Sequence, residues 1–225
     1  MSDIVVNATP RETRIALLEQ RVVTELFIEL RTNYGLVGNI YRGRVVKILP
    51  GMQAAFVDIG LPKAGFLHAS DILVDPQIPP WDHETAPLDL DTSRDGAAPQ
   101  PALPPEPAYA IEELLEEGQE ILVQVAKEPL GTKGCRLTTY LSLAGRYLVL
   151  MPGVEHIGVS RRIPDEAEKE RLRAGIQALL PEGMGCIMRT LSAGVSMQEL
   201  QADLHFLTTL WQHVQHTARQ GSAPC

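Results

Sequence analysis

Two aromatic and two basic side chains in the first third of the chain have the types needed to hold a nucleic-acid strand. Phe56 and Phe66 each lie in a short segment of alternating apolar residues, which places them on neighbouring predicted strands. Exposed rings on a small barrel stack on unpaired bases, and each stacked base contributes about 1–3 kcal/mol. Arg42 and Arg44 supply positive charge for phosphates. A purely structural role for both rings, in the core, stays open from the sequence.

Two further basic segments have the composition of phosphate sites. The loop at residues 131–134 (GTKG) lets the backbone approach a phosphate closely, and Lys133 adds a point charge. Arg189 and Thr190 lie at the end of a predicted strand and precede a capped helix, where a guanidinium fork and a hydroxyl suit a terminal phosphate. Arg162 adds positive potential. A plain hairpin at Lys133 and a surface salt bridge at Arg189 remain the alternatives.

Other chemistries have little support. His68, Ser70 and Asp71 have the residue types of a catalytic triad, but adjacency in sequence is not the geometry of one. Asp58 is a lone carboxylate at a strand end, for which we expect a structural role. The sequence has no phosphate-binding P-loop, no HExxH and no Cys-x-x-Cys, and so predicts neither a catalytic residue nor a metal site in this chain.

The elements that must position these residues begin with strands. Residues 4–6, 14–17 and 22–30 read as three short strands, which need further chain to bury an apolar face. Five more strands are predicted within residues 39–49, 53–60, 64–67, 119–125 and 135–138. Their length and glycine-rich corners are typical of a small Greek-key barrel of the OB type.

The last third of the chain mixes strands and helices. Strands are predicted at residues 147–151 and 186–190, and an amphipathic helix at 165–180 with Leu172, Ile176 and Leu179 on one face. Ser196 and Glu199 form a capping box that opens a second helix. The apolar face of that helix is predicted to carry Leu200, Leu204, Leu207, Trp211 and Val214, and its solvent face His205, His213 and His216.

The charge is concentrated in one segment. The net charge is −8, yet residues 71–120 carry 13 acidic and one basic side chain, so the rest of the chain is mildly basic. Nine of the 17 prolines lie between residues 76 and 107. Because proline removes hydrogen-bond donors and like charges repel, residues 75–107 are predicted to be a solvated, disordered insertion. A short helix is predicted at residues 111–118.

Length and composition exclude several classes of protein. A chain of 225 residues with 44% apolar residues can bury a real core and is neither collagen-like nor wholly disordered. No run of 18 apolar residues could cross a membrane, and no signal peptide is evident. Cys135, Cys186 and Cys225 are too few and too far apart for a disulfide framework, so we expect inert thiols, a cytoplasmic location and no membrane partner.

Several motifs in order resemble those of the ribonuclease E/G family, and within it the bacterial ribonuclease G type. They include residues 38–45 (GNIYRGRV), 49–60 (LPGMQAAFVDIG), 64–72 (AGFLHASDI), 129–134 (PLGTKG) and 146–153 (RYLVLMPG). The likeness runs from about residue 3 to residue 220 and is interrupted only by the proline-rich insertion.

The resemblance implies an α+β protein of several parts. Residues 1–35 would be the N-terminal β segment of a split ribonuclease-H-like subdomain. Residues 36–140 would form an OB-fold RNA-binding barrel, and residues 141–215 a small α/β sensor of the RNA 5′ end. Residues 216–225 would be a tail or the start of a further region.

The resemblance also implies roles for single residues. Phe56, Phe66 and Lys133 match the RNA-contacting positions of the family's barrel. Arg189 and Thr190 match the pair that grips a 5′-monophosphate, and Val149 matches a backbone position beside the terminal nucleotide. The implied partner is single-stranded RNA with a 5′-monophosphate, and the implied activity is endonucleolytic cleavage in rRNA processing and mRNA decay.

In the family, cleavage belongs to a later nuclease domain with a magnesium-binding aspartate pair, and zinc links subunits of a homo-oligomer. These 225 residues contain neither motif, so we expect them to bind RNA without cutting it and to hold no cofactor. Two rivals stay open, namely a stand-alone RNA-binding or regulatory module without catalysis and a protein-interaction domain that uses the acidic insertion.

Overall fold

The chain forms two compact units, which are described separately. The structure, a computed structural model, describes residues 2–10, 12–30, 35–75, 109–131 and 133–225. Met1–Leu36 is one unit and Val37–Cys225 the other. The insertion predicted at residues 75–107 lies outside the described residues, apart from Asp75.

The first unit is an antiparallel sheet of three strands. Strands β1 (Ser2–Ala8), β2 (Glu12–Glu19) and β3 (Val22–Leu30) pair in the order β1-β2-β3, so the three strands predicted from the sequence are confirmed. Many of their apolar side chains are exposed within this unit, among them Ile4, Val6 and Phe27.

The second unit begins with a closed barrel of five strands, as the sequence predicts. The strands are β4 (Ile40–Leu49), β5 (Ala54–Asp58), β6 (Gly65–His68), β7 (Glu120–Lys127) and β8 (Arg136–Thr138). They close in the order β4-β5-β6-β8-β7, with β6 and β8 parallel and the other pairs antiparallel. The inward side chains of Val45, Val57, Leu67, Val123 and Leu137 are fully buried and form the barrel core.

A short helix α1 (Ile111–Leu114) precedes β7 and is shorter than predicted. Leu115 leaves the helix in an extended conformation and is buried, so the chain straightens before Gly118, where φ is +88°. Gly118, which was expected to end this helix, therefore forms part of the turn that follows it.

The rest of the second unit is a four-stranded sheet covered by two helices. Strands β9 (Leu143–Ala144), β10 (Leu148–Pro152), β11 (Ile157–Val159) and β12 (Met184–Met188) pair in the order β11-β12-β10-β9. Helices α2 (Glu166–Gln177) and α3 (Met197–Gln220) pack their apolar faces on one core with this sheet.

Helix α3 confirms its predicted pattern. Its capping box at Ser196 and Glu199 is formed, and its apolar line is buried except for Val214, which is half-buried. Its three histidines are exposed, as predicted.

Helix α2 departs from its prediction at the C-terminal end. It ends at Gln177, so Leu179 lies beyond it and is 37% exposed, whereas the sequence placed this residue on the buried face. The last turn tightens through a hydrogen bond from Leu179 N to Ile176 O at 2.9 Å. Pro181 then prevents the helix from continuing.

The C-terminal residues are tied to the barrel. After α3 ends at Gln220, the backbone of Cys225 exchanges two hydrogen bonds with Arg42, at 2.9 and 3.1 Å. All three cysteines are free thiols, with Cys135 and Cys186 buried and Cys225 exposed. Burial raises the pKa of Cys186 to about 12, so that thiol stays protonated at neutral pH. No helix in the described part of the chain is long and apolar enough to span a membrane.

Candidate nucleic-acid interface

The two candidate rings face each other on the outside of the barrel. Phe56 on β5 pairs directly with Phe66 on β6, and the ring centroids lie 6.2 Å apart with the planes at 68°. Their sequence neighbours Ala55, Val57 and Leu67 point into the core and are fully buried, so both phenylalanines point outward and are half-buried. This arrangement excludes the alternative in which both rings are sealed in the core.

A cation lies on each side of this ring pair. Lys47 on β4 pairs with Phe56, and Arg136 on β8 pairs with Phe66, which makes a continuous row across four strands. We call the row of Lys47, Phe56, Phe66 and Arg136 the barrel face. Alternating charge and aromatic surface of this kind fits a strand whose phosphates and bases both need partners.

Arg136 was not among the residues predicted from the sequence, and the structure shows it in a fixed geometry. Its Nε and Nη2 atoms both donate to Oδ2 of Asp71, at 2.9 and 2.8 Å. The ion pair therefore fixes the guanidinium of the residue that pairs with Phe66, and the Arg136 side chain is still 40% exposed. A guanidinium held in this way can stack on a base, while Asp71 offsets part of its charge.

Lys133 lies exposed in the loop between β7 and β8, next to the connection between β5 and β6. Lys63 Nζ from that connection donates to Gly131 O at 3.1 Å. At Gly134 the loop comes so close that an added Cβ would lie 1.9 Å from Ala64 O. Only glycine permits this approach, which fixes the loop near the start of β6. Thr132 lies outside the described residues.

Arg42 and Arg44, predicted to bind RNA, have other partners. Both form ion pairs with Glu120 on β7, at 2.6 and 2.8 Å. Hydrogen bonding from Arg44, with the nearby charge of Arg42, lowers the pKa of Glu120. Arg42 Nη1 also donates to the carbonyl oxygens of Ala218 and Gly221 at the end of α3. The structure thus gives Arg42 a role in joining the barrel to the C-terminal residues.

The second candidate site surrounds Arg189, directly after β12. Its Nη1 atom donates to Gly145 O at 2.8 Å and to Arg146 O at 3.4 Å. Among the described residues no carboxylate forms a salt bridge with Arg189, and no protein atom accepts a hydrogen bond from its Nε or Nη2. The side chain is half-buried, so these hydrogens are available to an anion.

The other predicted sensor residues are placed differently. Thr190 is exposed, and its Oγ1 lies 2.9 Å from Ser160 Oγ, which brings two hydroxyls together. Arg162 is exposed nearby, and its backbone N–H donates to the same Ser160 Oγ at 3.4 Å. The side chain of Val149 is fully buried in β10, so only its backbone can meet a ligand.

The triad-like residues do not assemble a triad. His68 Nδ1 lies 2.8 Å from Ser70 Oγ, but Asp71 is paired with Arg136. Asp58 accepts a hydrogen bond from Gly60 N at 2.9 Å, a structural role in the turn.

Comparison with known proteins shows relatives that match almost the whole chain. A model of the ribonuclease E/G family matches residues 142–225. Ribonuclease G of Salmonella typhimurium (strain SL1344) is 45% identical over 213 residues, which cover 95% of this chain and 40% of that protein. Over 95% of its length the chain is thus similar to proteins of the ribonuclease E/G family. Ribonuclease G of Haemophilus influenzae is 46% identical over 94% of this chain, and ribonuclease E of Nostoc sp. is 37% identical over 94%.

The chain spans about 40% of the length of these ribonuclease G relatives. The magnesium and zinc that the ribonuclease E/G family implies require clustered carboxylate or cysteine ligands. Within the described ranges no three His, Cys, Asp or Glu side chains converge to hold a metal ion.

Proposed function

We propose that this chain binds single-stranded RNA along the barrel face and Lys133, and holds a 5′-monophosphate at Arg189 and Thr190. The observation that carries the proposal is the outward ring pair of Phe56 and Phe66 with a cation on each side. Stacked bases gain about 1–3 kcal/mol each, and the cations neutralise the phosphates between them. The names of the relatives, ribonuclease G and ribonuclease E, support RNA as the ligand.

Preference for the 5′-monophosphate would come from charge. A phosphate monoester carries about −1.5 to −2 charges at neutral pH. The Nε and Nη2 hydrogens of Arg189 suit two of its oxygens, and the hydroxyls of Thr190 and Ser160 offer further donors. A 5′-hydroxyl end brings no negative charge to this position, so it gains little from the arginine.

Two residues play supporting parts in the proposal. Arg162 contributes positive potential from the surface near Ser160. Val149 contributes backbone atoms only, because its side chain lies in the core.

For the protein as a whole we infer single-strand endoribonuclease activity in rRNA processing and mRNA decay, in the cytoplasm and as a homo-oligomer. Magnesium-dependent cleavage and the zinc link between subunits would belong to residues other than these 225. The proposal assigns recognition of the RNA, and no bond cleavage, to the chain described above.

Fluorescence anisotropy with a short labelled RNA tests the proposal. The same unpaired sequence is prepared with a 5′-monophosphate and with a 5′-hydroxyl, and each is titrated with native protein, Arg189→Ala and the matched control Arg173→Ala. Arg173 is an exposed arginine on α2, paired with Glu170, outside both sites. We expect native protein and Arg173→Ala to prefer the monophosphate, and Arg189→Ala to bind both RNAs equally.

Equal affinity of native protein for the two 5′ ends would contradict the sensor part of the proposal. Affinity that does not fall as salt is raised would contradict the RNA-binding part, because each phosphate contact contributes a slope of about −0.7 for single strands.

A further inference from the structure

One carboxylate organises the loop beside Arg189. Asp203 on α3 accepts hydrogen bonds from three consecutive backbone N–H groups, those of Arg146, Tyr147 and Leu148, at 3.2, 2.8 and 2.9 Å. Donation from three N–H groups to one carboxylate resembles an anion site filled by the protein's own side chain. Both oxygens of the carboxylate are therefore used by backbone N–H groups of residues 146–148, which follow directly on the turn at residues 145–147.

The loop and Asp203 are in close contact. An added Cβ at Gly145 would lie 2.6 Å from one carboxylate oxygen of Asp203 and 2.7 Å from the other. Gly145 N also donates to Leu148 O at 2.8 Å, which closes the turn. The position of the turn thus depends on the carboxylate and on the absence of a side chain at Gly145.

The same turn holds Arg189 from the other side. Its carbonyls at Gly145 and Arg146 accept from Arg189 Nη1, and the carbonyl of Tyr147 accepts from Arg189 N at 2.8 Å. The N–H groups of residues 146–148 donate to Asp203, and the carbonyls of residues 145–147 accept from Arg189. A shift of the turn would move the acceptors that aim the guanidinium.

We propose that Asp203 is a positioning residue for the 5′ end of the RNA, acting through the turn at residues 145–147 to hold Arg189 in the orientation that grips a monophosphate. This inference rests on the proposed function of Arg189. Asp203 itself needs no contact with RNA, because its oxygens are already used by the turn. Its effect is on the choice between 5′ ends, and the barrel face binds RNA without it.

The variant Asp203→Asn tests the inference, because one amide NH₂ would then meet backbone N–H donors. We expect the monophosphate preference, measured as the ratio of the two dissociation constants, to fall about tenfold. Affinity for the 5′-hydroxyl RNA should stay unchanged. The matched control is Asp165→Asn, which makes the same chemical change at a carboxylate that accepts from Ala167 N at the start of α2.

A second variant keeps the carboxylate and displaces the turn. Gly145→Ala places a methyl group against Asp203, and we expect it to lose the preference as Asp203→Asn does. A thermal melt of each variant shows that it is folded, and Gly145→Ala decides the question if Asp203→Asn does not fold. In the Arg189→Ala background, Asp203→Asn should cause no further loss, because it acts through the arginine.

The outcomes separate this inference from the proposed function. If native protein shows no preference for the monophosphate, the proposed function fails and the role of Asp203 fails with it. If native protein shows the preference and a folded Asp203→Asn keeps it in full, only the role of Asp203 is overturned. An additive loss on top of Arg189→Ala would also overturn it.

Discussion

Phe56 and Phe66 meet edge to face on the outside of the barrel, with their ring centroids 6.2 Å apart. An edge-to-face contact of this kind stabilises the ring pair by about 0.5–1.5 kcal/mol, and both rings remain only half-buried. Rings held in this way lose little conformational freedom when a base stacks on them, which favours binding.

Removing one ring tests that role. We expect Phe66→Ala to weaken binding of single-stranded RNA by about 1–3 kcal/mol per lost stacking contact, as measured by anisotropy. The matched control is Phe206→Ala, because Phe206 lies on α3 and is 60% exposed with no partner ring among the described residues. Equal losses in the two variants would show that the barrel face is not the binding surface.

The role of Arg42 differs between the sequence-based prediction and the structure, and a substitution can distinguish the two. The sequence predicts an RNA contact, whereas the structure ties this arginine to Glu120 and to two carbonyls at the end of α3. We expect Arg42→Ala to lower the free energy of unfolding by about 1–3 kcal/mol, because the half-buried carbonyls of Ala218 and Gly221 and the Glu120 carboxylate lose their donor. Urea unfolding measures this loss. Unchanged stability with strongly weakened RNA binding would instead support the sequence-based prediction.

Gly134 links loop packing to RNA binding. A methyl group there would collide with Ala64 O, so we expect Gly134→Ala to cost about 1–3 kcal/mol of stability and to move Lys133. RNA affinity should fall with it in the same titration. Gly51→Ala is the control, since a Cβ at Gly51 meets no atom within 4 Å. An RNA affinity for Gly134→Ala equal to that of the control would show that the position of this loop is unimportant.

Glu168 gives the fold an acid-sensitive contact near the second site. Hydrogen bonds from Arg171, and one from Gly194 N at 2.8 Å, hold the pKa of Glu168 down at about 2, below the ordinary 4.5. Because the pKa is lowered on folding, the stabilisation is complete above pH 4.5 and is lost as the pH falls towards 2.

The free energy of unfolding of native protein should therefore exceed that of Glu168→Gln at pH 6, and the difference should shrink between pH 4.5 and 2. Chemical unfolding at a series of pH values measures it. A difference that is independent of pH would show that the Glu168 carboxylate titrates alike in the folded and unfolded chain.

Local pattern predicted most of the elements of the fold. The pattern of apolar residues predicted the strands of the first sheet, the strands of the barrel, and β10 and β12 of the second sheet, but not the short strands β9 and β11. The spacing of Leu200, Leu204 and Leu207 predicted the buried face of α3. Such patterns depend on neighbours a few residues away, which the sequence displays directly. The sequence alone could not show that Phe56 and Phe66 are half-buried. The two faces of a strand can be assigned to core and surface only once the closed barrel defines an inner side.

The partners of the charged residues could not be predicted in the same way. Arg44 and Glu120 are 76 positions apart and meet only because β4 pairs with β7. Arg136 reaches Phe66 through a parallel pairing of strands that are far apart in the chain. Asp203 bonds to a turn 55 to 57 positions before it. These contacts depend on tertiary packing, so no spacing of residues close together in the sequence predicts them.

Photo-crosslinking tests the central claim, that RNA lies on the barrel face, most directly. Single-stranded RNA with 4-thiouridine at successive positions is irradiated with native protein, and the crosslinked peptides are mapped by mass spectrometry. We predict crosslinks within the segments that contain Phe56, Phe66 and Lys133, and their loss when an excess of unlabelled RNA competes. Specific crosslinks confined to Met1–Leu36 or to the exposed side of α3 would contradict the account.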